Sequence, residues 1–488
     1  MKVYIIILTI FMLGFTSCND WLDITPTDTV VEEQLFAEGD GYRNVLNGVY
    51  KQMATSSLYG RELSWGMLDV LGQLYHSRAF STNVAYGILL SSYNYEHKDV
   101  KSLVKQIWSL SYNSIANSNS ILAKIDGTDS TSFRSLNNEK MLIKGEALAV
   151  RAFLHFDMLR LFAPNPKKGD QTAYIPYFRE YPSTFEPNLS TKEVLELAIQ
   201  DLEEARTLVA PHDTLEWKNM LGFDLRIGTR GEDSSLNPDL FFRHRGFRMN
   251  YLAICAVLAR VYNYYGVFDE SYYQKAYDIA DHVMSMKSGY YKLVDFTDYY
   301  YLEGNRKATE EVIFCLSNQK LLSDYEALTA ETSYNFYLRS DLFDDNGDER
   351  QGSLTSPSGS YRVCVKNILP SGSAYDYEFC KDMLPLFRLS ELYYIQAEVL
   401  ARQGKISEAV KKIDVVRGER NCQTGSLGIQ QKIKDWDSFA AEMVKEAARD
   451  FMQEGQAFFY YKRLNILPKS GMKEADMTLP KPDNEVIF

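Results

Sequence analysis

Apolar side chains recur at three- and four-residue spacing through most of the chain, the period of a helix that buries one face. Tyr42, Val45, Leu46, Val49, Tyr50 and Met53 share such a face, and Leu103, Ile107 and Leu110 begin another that continues through Ile121, Leu122 and Ile125. The stretch LIKGEALAVRAFLHFDMLRLF predicts a third helix, ended by Ala163 and Pro164 because proline cannot continue the helical hydrogen-bond ladder. A fourth follows Ser190, where Val194, Leu197, Ala198, Leu202, Ala205 and Leu208 form a stripe interrupted by one polar residue, Asp201. Thr29 with Glu32, and Ser190 with Glu193, have the spacing at which a hydroxyl and a carboxylate satisfy orphan backbone donors at a helix start.

A longer period overlies the helical one. In LSELYYIQAEVLARQGKISEAVKKIDVV, the residues Ala397, Leu400, Gly404, Ile406, Ala409 and Ile413 have the offsets of a tetratricopeptide unit. Small residues are needed where two antiparallel helices cross closely, and glycine where the turn leaves the helical region. MNYLAICAVLARVYNYYGVFDESYYQKAYDIADHVM repeats the plan with Ala259, Tyr262, Gly266 and Phe268, then inserts residues before Ala276. Irregular, aromatic- and charge-rich segments, roughly 211–246 and 288–380, lie between the helical blocks, with the short strand candidates EEVIFCL and YRVCV inside the second. Connections of that length are uncommon unless functional or disordered, and their rings favour ordered surface loops. The expected fold is mainly α: a tetratricopeptide-type helical repeat scaffold with long irregular loops and a few short strands. The expected divisions are a leader over 1–17, a tether over 18–30 and an N-terminal helical region over 31–210. A repeat unit with loop insertions over 211–380 offers the candidate ligand face, and a C-terminal region over 381–488 carries the tetratricopeptide unit.

The leader changes where such a scaffold would work. Val3 to Phe15 is apolar, preceded by Lys2 and followed by the small residues Thr16 and Ser17. It is a secretory signal and falls short of the roughly 20 apolar residues that span a bilayer. An ordinary cleaved signal would release a soluble periplasmic chain. Cleavage after Ser17 would instead leave Cys18 as the amino terminus, as in bacterial lipoproteins, where acyl chains on that thiol and amine hold the chain on a membrane. The net charge of −12, more negative once Lys2 leaves, argues against nucleic acid and against an anionic lipid surface. The five later cysteines show no CxxC spacing, and an odd number cannot all pair within the chain. Cys255 is expected in a helix core and Cys315 in a strand core, with a Cys364–Cys380 bridge left open.

Candidate chemistry narrows the function by elimination. There is no GxxxxGK[ST], GxSxG or HExxH, and no histidine pairs with Cys or His at zinc-ligand spacing. LFDDNGDERQGS fails as a calcium loop, because aligning Gly347 with the loop glycine puts Leu342 and Ser353 at ligand positions, so it reads as a turn. Neither a metal nor a cofactor is expected. A carboxylate pair for glycoside hydrolysis can come from distant segments, so a glycosidase stays as an alternative.

Further motifs run in a recognisable order: Trp21, Leu22, Asp23 and Pro26 after Cys18; Tyr42 to Tyr50 ending in NGVY; and Trp108, Tyr112, Ile115 and Asn119 on one helix. EALAVRAFLHFDMLRLFAP with Arg151, Phe156, Asp157, Arg160 and Phe162 follows, then STKEVLELAIQDLEEA, EEVIFCL, MLPLFRLSELYYIQAEVLAR and RDFMQEGQAFFYYKRL. In this series the chain resembles the SusD/RagB family of outer-membrane nutrient-binding lipoproteins. It departs from the family after Glu454 and Gly455, with Ala457 and Tyr460 where a basic and an acidic residue are usual. The resemblance implies a binding protein and no enzyme, anchored to outer-membrane lipid through an acylated Cys18 and surface-exposed. It would capture an oligosaccharide or polysaccharide and deliver it to a SusC-type TonB-dependent barrel. The alternative is a helical-repeat scaffold for peptide or protein. No binding residue transfers by motif, so the candidate ligand residues rest on chemistry: rings lie against sugar faces while amides take hydroxyls. One stretch offers Trp65, Tyr75, Asn83 and Tyr86, and a second offers Tyr299, Tyr300 and Tyr301, each weighed against a role in buried packing.

Overall fold

The computed structural model describes residues 32–80, 83–216, 221–228, 239–330, 334–368 and 380–483. The leader, Cys18, Thr29 and the stretch Trp21 to Pro26 lie outside the described residues. Helices of eight or more residues, in chain order, are α1 (Gly39–Met53), α2 (Val84–Ser92), α3 (Lys98–Ile125), α4 (Leu136–Phe162), α5 (Thr191–Ala210), α6 (Tyr251–Tyr265), α7 (Ser271–Ser285), α8 (Leu321–Ala330), α9 (Leu389–Arg402), α10 (Ile406–Gly418), α11 (Trp436–Asp450) and α12 (Gln456–Arg463). The strands are short: β1 (Ala173–Pro176) with β2 (Asn188–Ser190), β3 (Lys287–Ser288) with β4 (Tyr291–Lys292), β5 (Val312–Ser317) with β8 (Met383–Arg388), and β6 (Thr355–Ser358) with β7 (Tyr361–Cys364), each pair antiparallel. The mainly helical architecture expected of the sequence is the one observed.

The helices pack in series. α3 lies on α4, α4 on α5, α5 on α6, α6 on α7, α7 on α9 and α9 on α10, so one face after another is covered by the next helix. α4 is apolar nearly all round and is buried from Leu142 almost without a break to Phe162, as a central helix must be. Its charged residues are each answered by a neighbour. Arg151 donates from Nε to Asp201 Oδ2 at 2.7 Å and from Nη2 to Oδ1 at 2.8 Å. Tyr177 Oη donates to the same carboxylate at 2.8 Å, which explains the single polar residue in the α5 stripe. Asn119 of α3 accepts from Arg151 Nη1 at 3.0 Å and donates to the Phe178 carbonyl at 3.0 Å. The motif residues that carry the resemblance are therefore clamps between helices, with Trp108, Tyr112 and Ile115 all buried. Ser190 caps α5 with Glu193 as the spacing predicts, the Ser190 N–H donating to Glu193 Oε2 at 2.8 Å.

Both repeat hairpins form, but their turns differ. Gly404, between α9 and α10, has φ +75°, the left-handed backbone expected of the turn glycine. Gly266, after α6, stays right-handed at φ −54°. Its reason is steric, because a Cβ there would lie 2.4 Å from the Tyr273 ring.

Arg388, at the end of β8, donates from Nη1 to Glu311 at 3.1 Å and from Nε to Glu454 at 2.9 Å. Arg420 donates two 2.7 Å bonds to the same Glu311 and one of 3.1 Å to Asp450. Burial alone would raise the Glu446 carboxyl, but the guanidiniums of Arg350, Arg449 and Arg417 outweigh it and hold it at about 2. The acids of LFDDNGDERQGS serve the same network: Asp345 accepts from the Gly347 N–H and pairs with Arg417, and Asp344 pairs with Lys432 and Arg449. The five described cysteines are free thiols and buried, so no Cys364–Cys380 bridge forms. Ala457 and Tyr460, at the departure from the family pattern, are buried packing residues.

Candidate ligand-binding site

The two predicted aromatic stretches have opposite fates. Trp65 is 1 % exposed and meets Tyr325 and Phe336 edge-on at 5.1 and 5.5 Å. Tyr75 meets Phe80 edge-on at 5.2 Å and donates its hydroxyl to the Trp65 carbonyl at 2.6 Å. Tyr86 is buried with its hydroxyl on Glu62 at 2.7 Å, while Asn83 caps α2 through the Tyr86 N–H and donates to Tyr334 Oη at 2.6 Å. Trp65, Tyr75 and Tyr86 thus take the buried-packing role that was weighed against ligand contact. Rings of this size gain most by filling the space between this stretch and α8, and they pack on one another there. Tyr299, Tyr300 and Tyr301 form one turn of 3-10 helix capped by Asp298, with Tyr300 74 % and Tyr301 47 % exposed. Tyr299 and Tyr300 are 4.3 Å apart between ring centroids.

The buried cluster is the underside of something more open. Residues 74–79, 335–339 and 361–363 lie side by side as a ladder. The His76 N–H donates to the Tyr337 carbonyl at 2.7 Å, the Arg339 N–H to Leu74 at 3.0 Å and the Leu338 N–H to Arg362 at 2.8 Å. Successive side chains of an extended segment point to opposite faces. Leu338 accordingly points inward, 3 % exposed, between Tyr337 and Arg339, which point outward and are half-buried, and Phe336 before them is 0 % exposed. His76 and Tyr361 fall on the same outer face. The His76 ring lies 4.7 Å from Tyr361, and Tyr361 stacks on Tyr337 at 4.5 Å and 24°.

A cavity of about 330 Å³ opens beside this row, lined by Tyr75, His76 and Ser77, by Arg339 and Asp341, and by Lys469. Its polar groups are fixed. Arg339 Nη1 donates to Tyr461 Oη at 3.0 Å with Nε 3.5 Å from Asp341, and Lys469 Nζ donates to the Ser91 carbonyl at 2.8 Å. Gln73, also in the lining, holds a left-handed backbone at φ +52°, as do Tyr93 at +53° and Phe336 at +46°. Non-glycine residues in that region carry strain and concentrate at ligand clamps and active sites. The site therefore offers half-exposed ring faces in a row, with hydroxyl, guanidinium, ammonium and carboxylate groups within one concavity. Tyr75 is in its lining, while Asn83, Tyr86 and the Tyr299–Tyr301 turn are not. His76, Tyr337, Arg339 and Tyr361 were missed from sequence, although the alternation in YNFYLR could have found two of them. Among the described residues no group of three or more His, Cys, Asp or Glu side chains could hold a metal ion, and no helix is long and apolar enough to cross a membrane.

Fold and site together define a helical-repeat scaffold with a polar cavity among its loops. Two family models match the chain in series: residues 20–217 match one described as starch-binding, associating with the outer membrane, and residues 260–485 match the SusD family. The chain belongs to the SusD family. It is similar to SusD-like protein P38 of Formosa agariphila, 22 % identical over 356 residues that span 66 % of each chain. SusD-like protein P2 of the same organism is 25 % identical over 42 % of this chain and 38 % of that relative. The chain thus spans less than two thirds of the length of these curated relatives. Among solved structures, a SusD-like carbohydrate binding protein from Bacteroides vulgatus superposes with a TM-score of 0.62 at 19 % identity, covering 88 % of this chain and 83 % of that one. A SusD superfamily protein from Bacteroides thetaiotaomicron gives 0.61 at 21 % identity, covering 87 % and 89 %.

Proposed function

We propose that this protein is a non-catalytic glycan receptor of the outer membrane. It binds an oligosaccharide or a polysaccharide segment at the cavity lined by His76 and along the ring row that Tyr361 and Tyr337 continue from it, and hands it to a SusC-type TonB-dependent barrel. The observation that carries this reading is the row of half-exposed rings beside a concavity of fixed polar groups. Tyrosine and imidazole faces cover the apolar face of a sugar ring, while Arg339, Asp341 and Lys469 are placed for its hydroxyls. An acylated Cys18 would supply the tether, followed by an acidic stretch that keeps the receptor on the outer face. The expectation is that affinity electrophoresis against a panel of polysaccharides retards the wild-type protein in at least one gel. Tyr337→Ala and His76→Ala should each weaken that retention about tenfold or more, in line with the ~1–3 kcal/mol of a ring stacked on its ligand. Delivery predicts co-purification with an outer-membrane barrel. Capture of a peptide library with no glycan retained would overturn the reading in favour of the peptide scaffold, and release of reducing ends would overturn it in favour of a glycosidase.

A further inference from the structure

The segment GYYKLVDF holds a second aromatic feature that the first cavity does not use. Lys287 pairs with Lys292 and Ser288 with Tyr291, leaving Gly289 and Tyr290 as a two-residue loop. Gly289 has φ +63°, the left-handed start that such a loop requires. At its tip Tyr290 is 98 % exposed and the next residue, Tyr291, is 81 % exposed. Polar residues turn a hairpin equally well, and two rings held in water contribute nothing to the fold. Exposed aromatic groups of this kind mark binding surfaces.

The hairpin stands at the edge of a cavity of about 700 Å³ whose other wall is the turn Gly222 to Leu225. Phe223 on that wall packs its inner side against the small cluster of Ile227, Val312, Cys315, Cys380 and Met383, so the wall is fixed to the core. Arg226 joins the two walls. Its guanidinium is fully buried and donates to the Leu221 carbonyl at 2.9 Å and the Leu293 carbonyl at 3.2 Å, one from each side. Lys292 and Asp295 pair at 3.2 Å on the rim.

We propose that this cavity is a second carbohydrate-contact site, with Tyr290, Tyr291 and Phe223 as ring platforms and Asp224, Lys292 and Asp295 as hydroxyl partners. The composition separates this occupant from a protein. Cores of protein interfaces are depleted of charge, whereas here charged groups stand among the rings and, among the described residues, Leu225 is the one aliphatic side chain in the lining. Rings beside hydroxyl-binding charges fit a sugar, whose ring has an apolar face and a polar edge. Among the described residues the lining shares none with the cavity beside His76, so a chain long enough to touch both gains avidity that a short one does not.

The inference rests on the glycan-receptor reading and adds a second contact to it. Its test compares a Tyr290→Ala/Tyr291→Ala double variant of the full mature chain with wild type. The probes are an α-glucan, a β-glucan, a xylan and a mannan in affinity gels, and the trisaccharide of whichever polymer is retained by calorimetry. The expected result is a ratio of polymer to trisaccharide affinity about tenfold lower in the variant, at an unchanged unfolding midpoint because both rings are solvent-exposed. Tyr337→Ala lowers trisaccharide affinity itself. A wild-type ratio in the double variant overturns the second site and leaves the first reading intact. Wild-type protein unretarded in every gel overturns both.

Discussion

His155 sits between two backbone groups that only the neutral ring satisfies. Its Nδ1 lies 2.9 Å from the Arg151 carbonyl and donates there, and its Nε2 accepts from the Phe178 N–H at 3.0 Å, while Tyr177 stacks on the ring at 3.8 Å. Burial drives this imidazole down to about 3, and His212 is lowered for the same reason. In the unfolded chain a histidine titrates near ~6.5, so below that pH the unfolded state binds the extra proton and stability falls. Stability contributed by the neutral rings is complete above about pH 6.5 and is lost as pH drops through the window below it. The unfolding free energy from urea titrations between pH 7 and 5 should fall by up to about 1.4 kcal/mol per pH unit for each of His155 and His212, and His155→Gln should remove one proton's share of that slope. Carboxylates held low, such as Glu446, act further down the scale and leave this window to the histidines. At this scale the sequence is legible for single residues and neighbouring pairs and silent on distant ones. Asp201 stands out as the one polar position in an apolar stripe, yet its partner Arg151 lies 50 residues away, and no local pattern encodes that distance.

Elements were more legible, because helical period and repeat offsets are local. The spacing around Ala397 and Ala259 predicts two helical hairpins, and both are present. What the offsets do not carry is why each turn glycine is needed. Gly404→Ala forces a Cβ into the left-handed region and should cost about 1–2 kcal/mol, read as a lower denaturant midpoint. Nothing lies within 4 Å of that Cβ, so the loss there is purely conformational. The irregular segments hid the candidate ligand face for a related reason. Trp65, Tyr75 and Tyr86 have the composition of sugar platforms, and composition does not say which side of a ring faces water. The side is set by pairing of 74–79 with 335–339, a contact between segments more than two hundred residues apart.

Across the whole molecule, one hydrophobic core takes residues from all three expected stretches, and the β5–β8 pairing fastens the second to the third. Arg388 is the centre of that junction, with Glu311, Asp450 and Glu454 around it. Arg388→Met leaves three buried carboxylates short of a partner and should lower stability by about 3–5 kcal/mol, since breaking a buried pair from one side strands the other charge. Calorimetry should show the melt as a single transition if the junction couples the stretches. The family and the mainly helical fold were readable from ordered motifs, while this junction was not, because its members are scattered from Glu311 to Glu454.

The ladder beneath the first cavity has a consequence for change over time. Its rungs are main-chain hydrogen bonds, and its inward side chains, Leu74, Phe336 and Leu338, belong to the core. The side chains of His76, Tyr337 and Arg339 form none of those rungs, so they can be exchanged while the main-chain bonds stay as they are. The surface behaves as a socket with replaceable contacts, a line on which a few letters can be rewritten while the paper does not move.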